Sequence, residues 1–215
     1  MQGLYLVTPD WDDTEALLRH TEQALATGIA MLQYRHKTAG PQQRKEQAQA
    51  LLQLCRRYAT PFIINDHIDL CRELDADGVH VGGTDAGVQQ ARARLGRHKI
   101  VGASCYGELQ RALDAQRDGA SYVAFGGFYP SRVKRYDFVT SPEILDRARV
   151  MLRVPCVVIG GMTPENARPL VQRGAHLVAA ISSVYGAEDT PQAVTAFRRL
   201  FGTHEAGPPS SGVVL

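Results

Sequence analysis

Apolar runs of four to six residues alternate along the chain with longer stretches whose apolar positions recur every three or four residues. The short runs carry β-branched and aromatic residues between Gly, Pro, Asn and Asp, and so predict strands. They fall at LYLV (4–7), AMLQYR (30–35), PFII (61–64), GVHV (78–81), KIVGAS (99–104), YVAFG (122–126), PCVVIG (155–160) and HLVAAI (176–181). Between them, DDTEALLRHTEQALATG, PQQRKEQAQALLQLCRRYA, IDLCRELD, GVQQARARLG, GELQRALDAQRDG, SPEILDRARVML, TPENARPLVQRG and TPQAVTAFRRLF predict amphipathic helices. Gly28, Gly119 and Gly174 suit left-handed helix ends, and Thr163 before Pro164 suits an N-cap with proline at the first helical position.

Eight strand–helix units predict a single α/β domain, a closed (β/α)8 TIM barrel over residues 1–202. A flavodoxin-like sheet needs only about five units and leaves roughly a third of the chain over. No GxGxxG follows the first strand, which also weighs against a dinucleotide fold. Residues 203–215, THEAGPPSSGVVL, predict a flexible C-terminal tail.

Composition changes this picture little. The chain has 215 residues, 44% hydrophobic and 21% charged, enough to bury a sizeable core. A net charge of +2 gives no ground for a nucleic-acid or membrane partner, so any pull on anions must come from local placement of Lys and Arg. Cys55, Cys71, Cys105 and Cys156 are widely spaced without a CxxC pair; no zinc site or disulfide framework is expected, and a reducing cytoplasm fits. The opening MQGLYLVTPDWDD lacks a basic leader before an apolar run, so no secretory signal is expected. No stretch approaches the roughly 18 apolar residues of a membrane span.

In such a barrel the chemistry sits where the strands end. The first strand ends on Thr8-Pro9-Asp10, which says little. The second ends on Gln33-Tyr34-Arg35-His36-Lys37, where Gln33, Arg35 and Lys37 share one face if the strand persists. Turned inward, two cations there call for an anion; if the strand stops by Arg35, both are simply solvated. The third strand ends on Asn65-Asp66 and the fourth runs into Gly82-Gly83-Thr84-Asp85. Asp66 and Asp85 each read singly as helix N-caps, and together as carboxylates for a hard cation such as Mg2+. His67 and His80 are either ligands or packed residues.

The fifth strand ends on Ser104, a hydroxyl suited to a phosphate or a cap, beside Cys105, which has no activating His and carboxylate and reads as inert. GGFYPSRVKRYDF after the sixth strand brings two glycines and the cations Arg132, Lys134 and Arg135, a composition suited to phosphate or to a lid. Gly160-Gly161 after strand seven and Ile181-Ser182-Ser183 after strand eight match the usual phosphate position of TIM barrels, where a short helix N-terminus contributes. Two anion-binding regions and a Mg2+ site point to transfer chemistry between two phosphorylated small molecules.

In that order LQYRHK, PFIINDHIDL, ADGVHVGGTDA, VGASCYG, GGFYPSRVKR, VVIGGMTPEN and VAAISSV closely resemble the thiamine phosphate synthase family, over about residues 3–200. The resemblance implies a transferase joining 4-amino-2-methyl-5-hydroxymethylpyrimidine diphosphate to a thiazole monophosphate, its carboxylated form included, to give thiamine monophosphate and pyrophosphate. By the resemblance, Gln33, Tyr34, Arg35, His36, Lys37, Asn65, Ser104 and Lys134 contact the pyrimidine diphosphate, and Asp66 and Asp85 hold Mg2+. Ser131, Arg132, Val133, Gly161, Ile181 and Ser182 contact the thiazole phosphate. Arg35, Lys37, Ser104 and Lys134 are the implied catalytic set, acting on a pyrophosphate that departs before the thiazole nitrogen attacks.

One departure stands out: the family's Thr-x-Thr-Lys loop reads Ser131-Arg132-Val133-Lys134 here, which removes the second hydroxyl and makes Arg132 a substitute phosphate contact. Rival readings are a thiazole tautomerase-like paralogue, a non-catalytic phosphate-binding barrel, and a Schiff-base aldolase, for which Lys134 is badly placed. The sequence leaves the oligomeric state open, a homo-oligomer included.

Overall fold

Side chains along a strand alternate between its two faces, so a strand in a closed ring sends every second residue to the axis and the others to the helices. Both faces are dry, which is why the runs are apolar throughout rather than alternating. In the computed structural model, which describes residues 1–82, 87–131 and 137–202, these runs form eight parallel strands. They are β1 Gly3–Val7, β2 Met31–Tyr34, β3 Phe62–Asn65, β4 Gly78–Val81, β5 Ile100–Tyr106, β6 Tyr122–Gly126, β7 Cys156–Ile159 and β8 Leu177–Ala180. They pair in sequence order and close when β8 returns to β1, with Tyr5 opposite Ala179. The TIM barrel expected from the sequence is the observed fold. The tail, residues 203–215, lies outside the described residues.

The helices follow the predicted order: α1 Thr14–Thr27, α2 Pro41–Arg57, α3 Ile68–Leu74, α4 Val88–Leu95, α5 Leu109–Arg117, α6 Glu143–Met151 and α7 Pro164–Gln172. The last unit differs, because a single turn, α8 Ser182–Tyr185, precedes α9 Thr190–Arg198. No described helix is long and apolar enough to cross a membrane. Start signals behave as their chemistry requires: the Asp13 carboxylate accepts from the Ala16 N–H at 2.9 Å, and Asp189 from Gln192 N–H at 2.8 Å. The φ of Gly28 is +99°, that of Gly119 +94° and that of Gly174 +104°.

The outward residues Leu4, Leu6, Leu32, Val79, Val101, Phe125 and Val178 meet Leu17, Leu51, Ala112, Leu170 and Phe197 of the helices, and all are buried. Each such side chain contributes about 1.5–3 kcal/mol by leaving water, so this shell carries most of the stability. The axis is filled by a smaller set, Tyr5, Met31, Ile63, Tyr122, Val157, Leu177 and Ala179. Two of these are tyrosines, and the ring of Tyr122 lies where the Cβ of residue 102 would be: a Cβ added to Gly102 would sit 2.0 Å from Tyr122 Cζ. Gly102→Ala is therefore expected to lower the unfolding free energy by about 2 kcal/mol or more, read by denaturant titration, because the fully buried ring has nowhere to retreat.

Candidate active site

The regular part of β2 stops at Tyr34, one residue short of the predicted end, yet Gln33, Arg35 and Lys37 all line one cavity at the barrel mouth. A side chain takes over from the sheet. Thr8 donates its hydroxyl to the Arg35 carbonyl and accepts the Arg35 N–H, each at 2.8 Å, continuing the ladder by one step. Asp10 accepts from the Arg35 guanidinium at 2.9 and 3.1 Å and from the Lys37 N–H at 2.9 Å. The end of β1, uninformative in the sequence, thus holds the end of β2 in place.

The Lys37 ammonium pairs with Asp66, and the same Asp66 oxygen accepts from the Asn65 amide at 2.6 Å. Both cations therefore have protein carboxylates as partners, and burial alone does not demand a bound anion. Asp66 is no helix cap: the N-cap of α3 is His67, whose side chain makes no capping bond, and Asp66 sits at φ +63° with its N–H on the His80 carbonyl. Unlike Asp13 and Asp189, its carboxylate is turned to the mouth, with a side chain only 15% exposed.

Below these charges runs a hydrogen-bonded chain. Gln33 Nε2 donates to the Tyr5 hydroxyl at 2.7 Å, Tyr5 meets Tyr122 at 2.6 Å, Tyr122 meets His80 Nδ1 at 2.9 Å, and His80 Nε2 meets Ser104 Oγ at 2.9 Å. The Tyr5 and Tyr122 rings cross edge to face, and His80 stacks on Tyr122. Burial raises both phenol pKa values, so each keeps its single proton. Tyr122 then donates to one neighbour and accepts from the other, which couples the proton arrangement at Tyr5 to that at Ser104.

The opposite wall is built from glycines. Gly161 has φ +63°, and a Cβ there would lie 2.2 Å from the Pro130 carbonyl, so the β6–α6 loop rests directly on it. The Asn166 amide fixes this turn: it donates to the Gly161 carbonyl at 2.8 Å and accepts from the Thr163 N–H at 2.8 Å, while Thr163 Oγ1 accepts the Asn166 N–H. Tyr129 ties the loop to the Asn166 carbonyl at 2.9 Å, which brings Ser131 to the same cavity. The turn of α8 starts here, and Ser182 and Ser183 line the cavity beside Gly160 and Gly161.

The cavity, about 380 Å³, brings together Gln33, Arg35, Lys37, Asn65, Asp66, Ser104, Ser131, Gly161, Ile181 and Ser182 of the expected residues. Asp85, Arg132, Val133 and Lys134 lie outside the described residues. Tyr34 and His36 do not line this cavity; they line a neighbouring one that shares Lys37, Asn65 and Asp66. They fall on the outward face of β2 and its continuation, where the Tyr34 hydroxyl donates to Gln47 Oε1 at 3.0 Å and His36 Nδ1 lies 3.2 Å from the same atom. The sequence reading missed Tyr5, and it read His80 chiefly as a packed residue; both line the cavity, as do Val7, Tyr106 and Met162. Period-two alternation from Val7 and from Ser104 was the available signal for Tyr5 and Tyr106.

Cys105 is inert as expected: it is buried on the outward face of β5, and burial pushes its thiol up to about 12. The inward positions of β6 are Tyr122, Ala124 and Gly126, which leaves that strand no lysine for Schiff-base chemistry.

The chain matches the family described as thiamine monophosphate synthase over residues 4–184. It is 59% identical to a thiamine-phosphate synthase of Janthinobacterium over 94% of this chain and 97% of the relative. It is 48% identical to one of Xylella fastidiosa, over 93% and 85% of the two chains. Its fold superposes on thiamine phosphate pyrophosphorylase from Pyrococcus furiosus with a TM-score of 0.81 at 32% identity, covering 93% of this chain and 95% of that one. On this likeness over nearly the whole barrel, the chain belongs to the thiamine monophosphate synthase family.

Proposed function

We propose that the mouth cavity joins the aminopyrimidine diphosphate to the thiazole monophosphate, in keeping with the transferase activity and thiamine-biosynthetic role of the family. The observation that carries this reading is one cavity with two unlike anion-suited walls: Arg35, Lys37, Asn65 and Ser104 on one side, and Gly161, Ile181 and Ser182 on the other. The small floor residues Ala124, Val157 and Ala179 leave room between them for two rings. A reaction between two phosphorylated partners needs that arrangement, with the reacting carbons in the middle and the charges at the rims.

In this reading Arg35, Lys37 and Lys134 stabilise charge growing on the departing pyrophosphate. Gln33, held by Tyr5, and Ser104, held by His80, orient the pyrimidine ring. No protein nucleophile takes part, because an electron-rich aminopyrimidine stabilises its own cation. Backbone N–H groups at the Gly161 turn and the start of α8 receive the thiazole phosphate, with Ser131 and Arg132 as further contacts.

Mg2+ fits the donor set: Asp66 reaches the cavity with one carboxylate oxygen already committed to Lys37 and Asn65, and such an ion needs only one or two carboxylates plus phosphate and water. No group of three or more metal-ligating side chains occurs among the described residues, so the proposed ion depends on Asp66, Asp85 and the substrate's own oxygens. When bound it supplies positive charge beside the leaving pyrophosphate.

Purified protein mixed with both substrates is expected to form thiamine monophosphate only with Mg2+ present; product formation independent of the ion would defeat the reading. Asp66→Asn is expected to cut the rate at low Mg2+ by about tenfold or more, and a near-normal rate there would remove Asp66 from the metal site. Arg132→Ala is expected to raise the KM for the thiazole phosphate by about tenfold with little change for the diphosphate; an unchanged KM would exclude the phosphate contact.

A further inference from the structure

Behind the mouth, on the other side of the Lys37–Asp66 pair, lies a second cavity of about 240 Å³. Lys37, Asn65 and Asp66 line both cavities, and the second is completed by Tyr34, His36, Arg44 and His67. Its volume corresponds to about eight waters at ~30 Å³ each, room enough for a diphosphate anion.

Among the described residues its charge is not balanced. Arg44, in the first turn of α2, donates through Nη2 to the Ala39 carbonyl at 2.6 Å, while its Nε is buried and meets no acceptor. Among the described residues no carboxylate comes within ion-pair distance of Arg44, whereas Arg35, Arg57, Arg94 and Arg173 each have one. The carboxylate in the lining is Asp66, whose Oδ2 already accepts from Lys37 and Asn65. Among the described residues, Lys37 and Arg44 thus face one carboxylate there, Asp66, whose Oδ2 Lys37 already engages. A part-buried guanidinium without a counter-ion favours an oxyanion, and its planar fork suits phosphate oxygens in particular.

We propose that this recess is a second anion site, which takes the released pyrophosphate as it leaves the mouth. The proposal rests on the reading of the mouth as the place where pyrophosphate departs. Lys37 stands on the shared wall, so an anion crossing it stays beside one ammonium while exchanging Arg35 for Arg44. Retention there would slow the return of pyrophosphate to the reacting carbon.

Calorimetric titration of the full chain with inorganic pyrophosphate, without Mg2+ or substrate, tests this. The wild type is expected to bind two equivalents, of which Arg44→Gln loses one or weakens it by about tenfold or more, and Arg44→Lys weakens it less. Arg35→Ala is expected to remove the other. A folded Arg44→Gln protein with wild-type stoichiometry and affinity overturns the proposal. Should Arg44→Gln fail to fold, the Arg44 Nε–H resonance of the 15N-labelled wild type gives the answer: it shifts on adding pyrophosphate if the site exists, and an unmoved resonance overturns it. Loss of one equivalent at Arg44 in a chain that makes no thiamine monophosphate would support this site and defeat the proposed reaction. A single equivalent sensitive to Arg35→Ala alone would do the reverse.

Discussion

The axis of an eight-stranded barrel must be filled with side chains, and in this protein the upper part of the filling is polar and continuous. Gln33, Tyr5, Tyr122, His80 and Ser104 come from five different strands and satisfy one another in a row. An unpaired hydroxyl or imidazole at that depth would cost about 1–3 kcal/mol, so the row survives only if every strand holds its register. Gly102 is part of the same requirement, since its missing side chain is the space that Tyr122 occupies. What stands above the row, the charged rim and the glycine wall, inherits its positions from this layer.

Above it the two halves of the mouth are made by different means. The cationic half is assembled by side chains that reach between strand ends, Thr8 and Asp10 to Arg35 and Asp66 to Lys37. The opposite half is assembled by backbone, through Gly161 against Pro130 and the Asn166 amide that fixes the turn. Side-chain charge suits an anion that must be released after reaction, whereas backbone donors hold a phosphate that takes no part in bond making.

Much of this was legible in the sequence because it depends on local period. Each strand was placed by a short apolar run, and Gln33, Arg35 and Lys37 by their spacing of two. The same spacing puts Tyr34 and His36 on the other face, where both meet Gln47. Asp10 could not have been found this way, because its partner Arg35 is 25 residues distant and the contact exists only once the two strands pair. Tyr5 and Tyr122 were hidden for another reason: an aromatic residue in a buried strand looks alike whether it faces the helices or the axis, and only the closed ring distinguishes them. The start of α8 was implied by the phosphate habit of such barrels, but four residues are too few to carry a helical period.

The pairing of Arg35 with Asp10 and of Lys37 with Asp66 bears on the vacant interval of a working cycle. A pocket lined by bare cations would repel itself whenever its ligands were gone, and would hold product tightly to relieve that repulsion. Here Arg35 and Lys37 each have a resident carboxylate to return to, and Lys37 is half-exposed, so its attachment to Asp66 is weak enough to be exchanged. An anion arriving at these two cations therefore replaces charge already present.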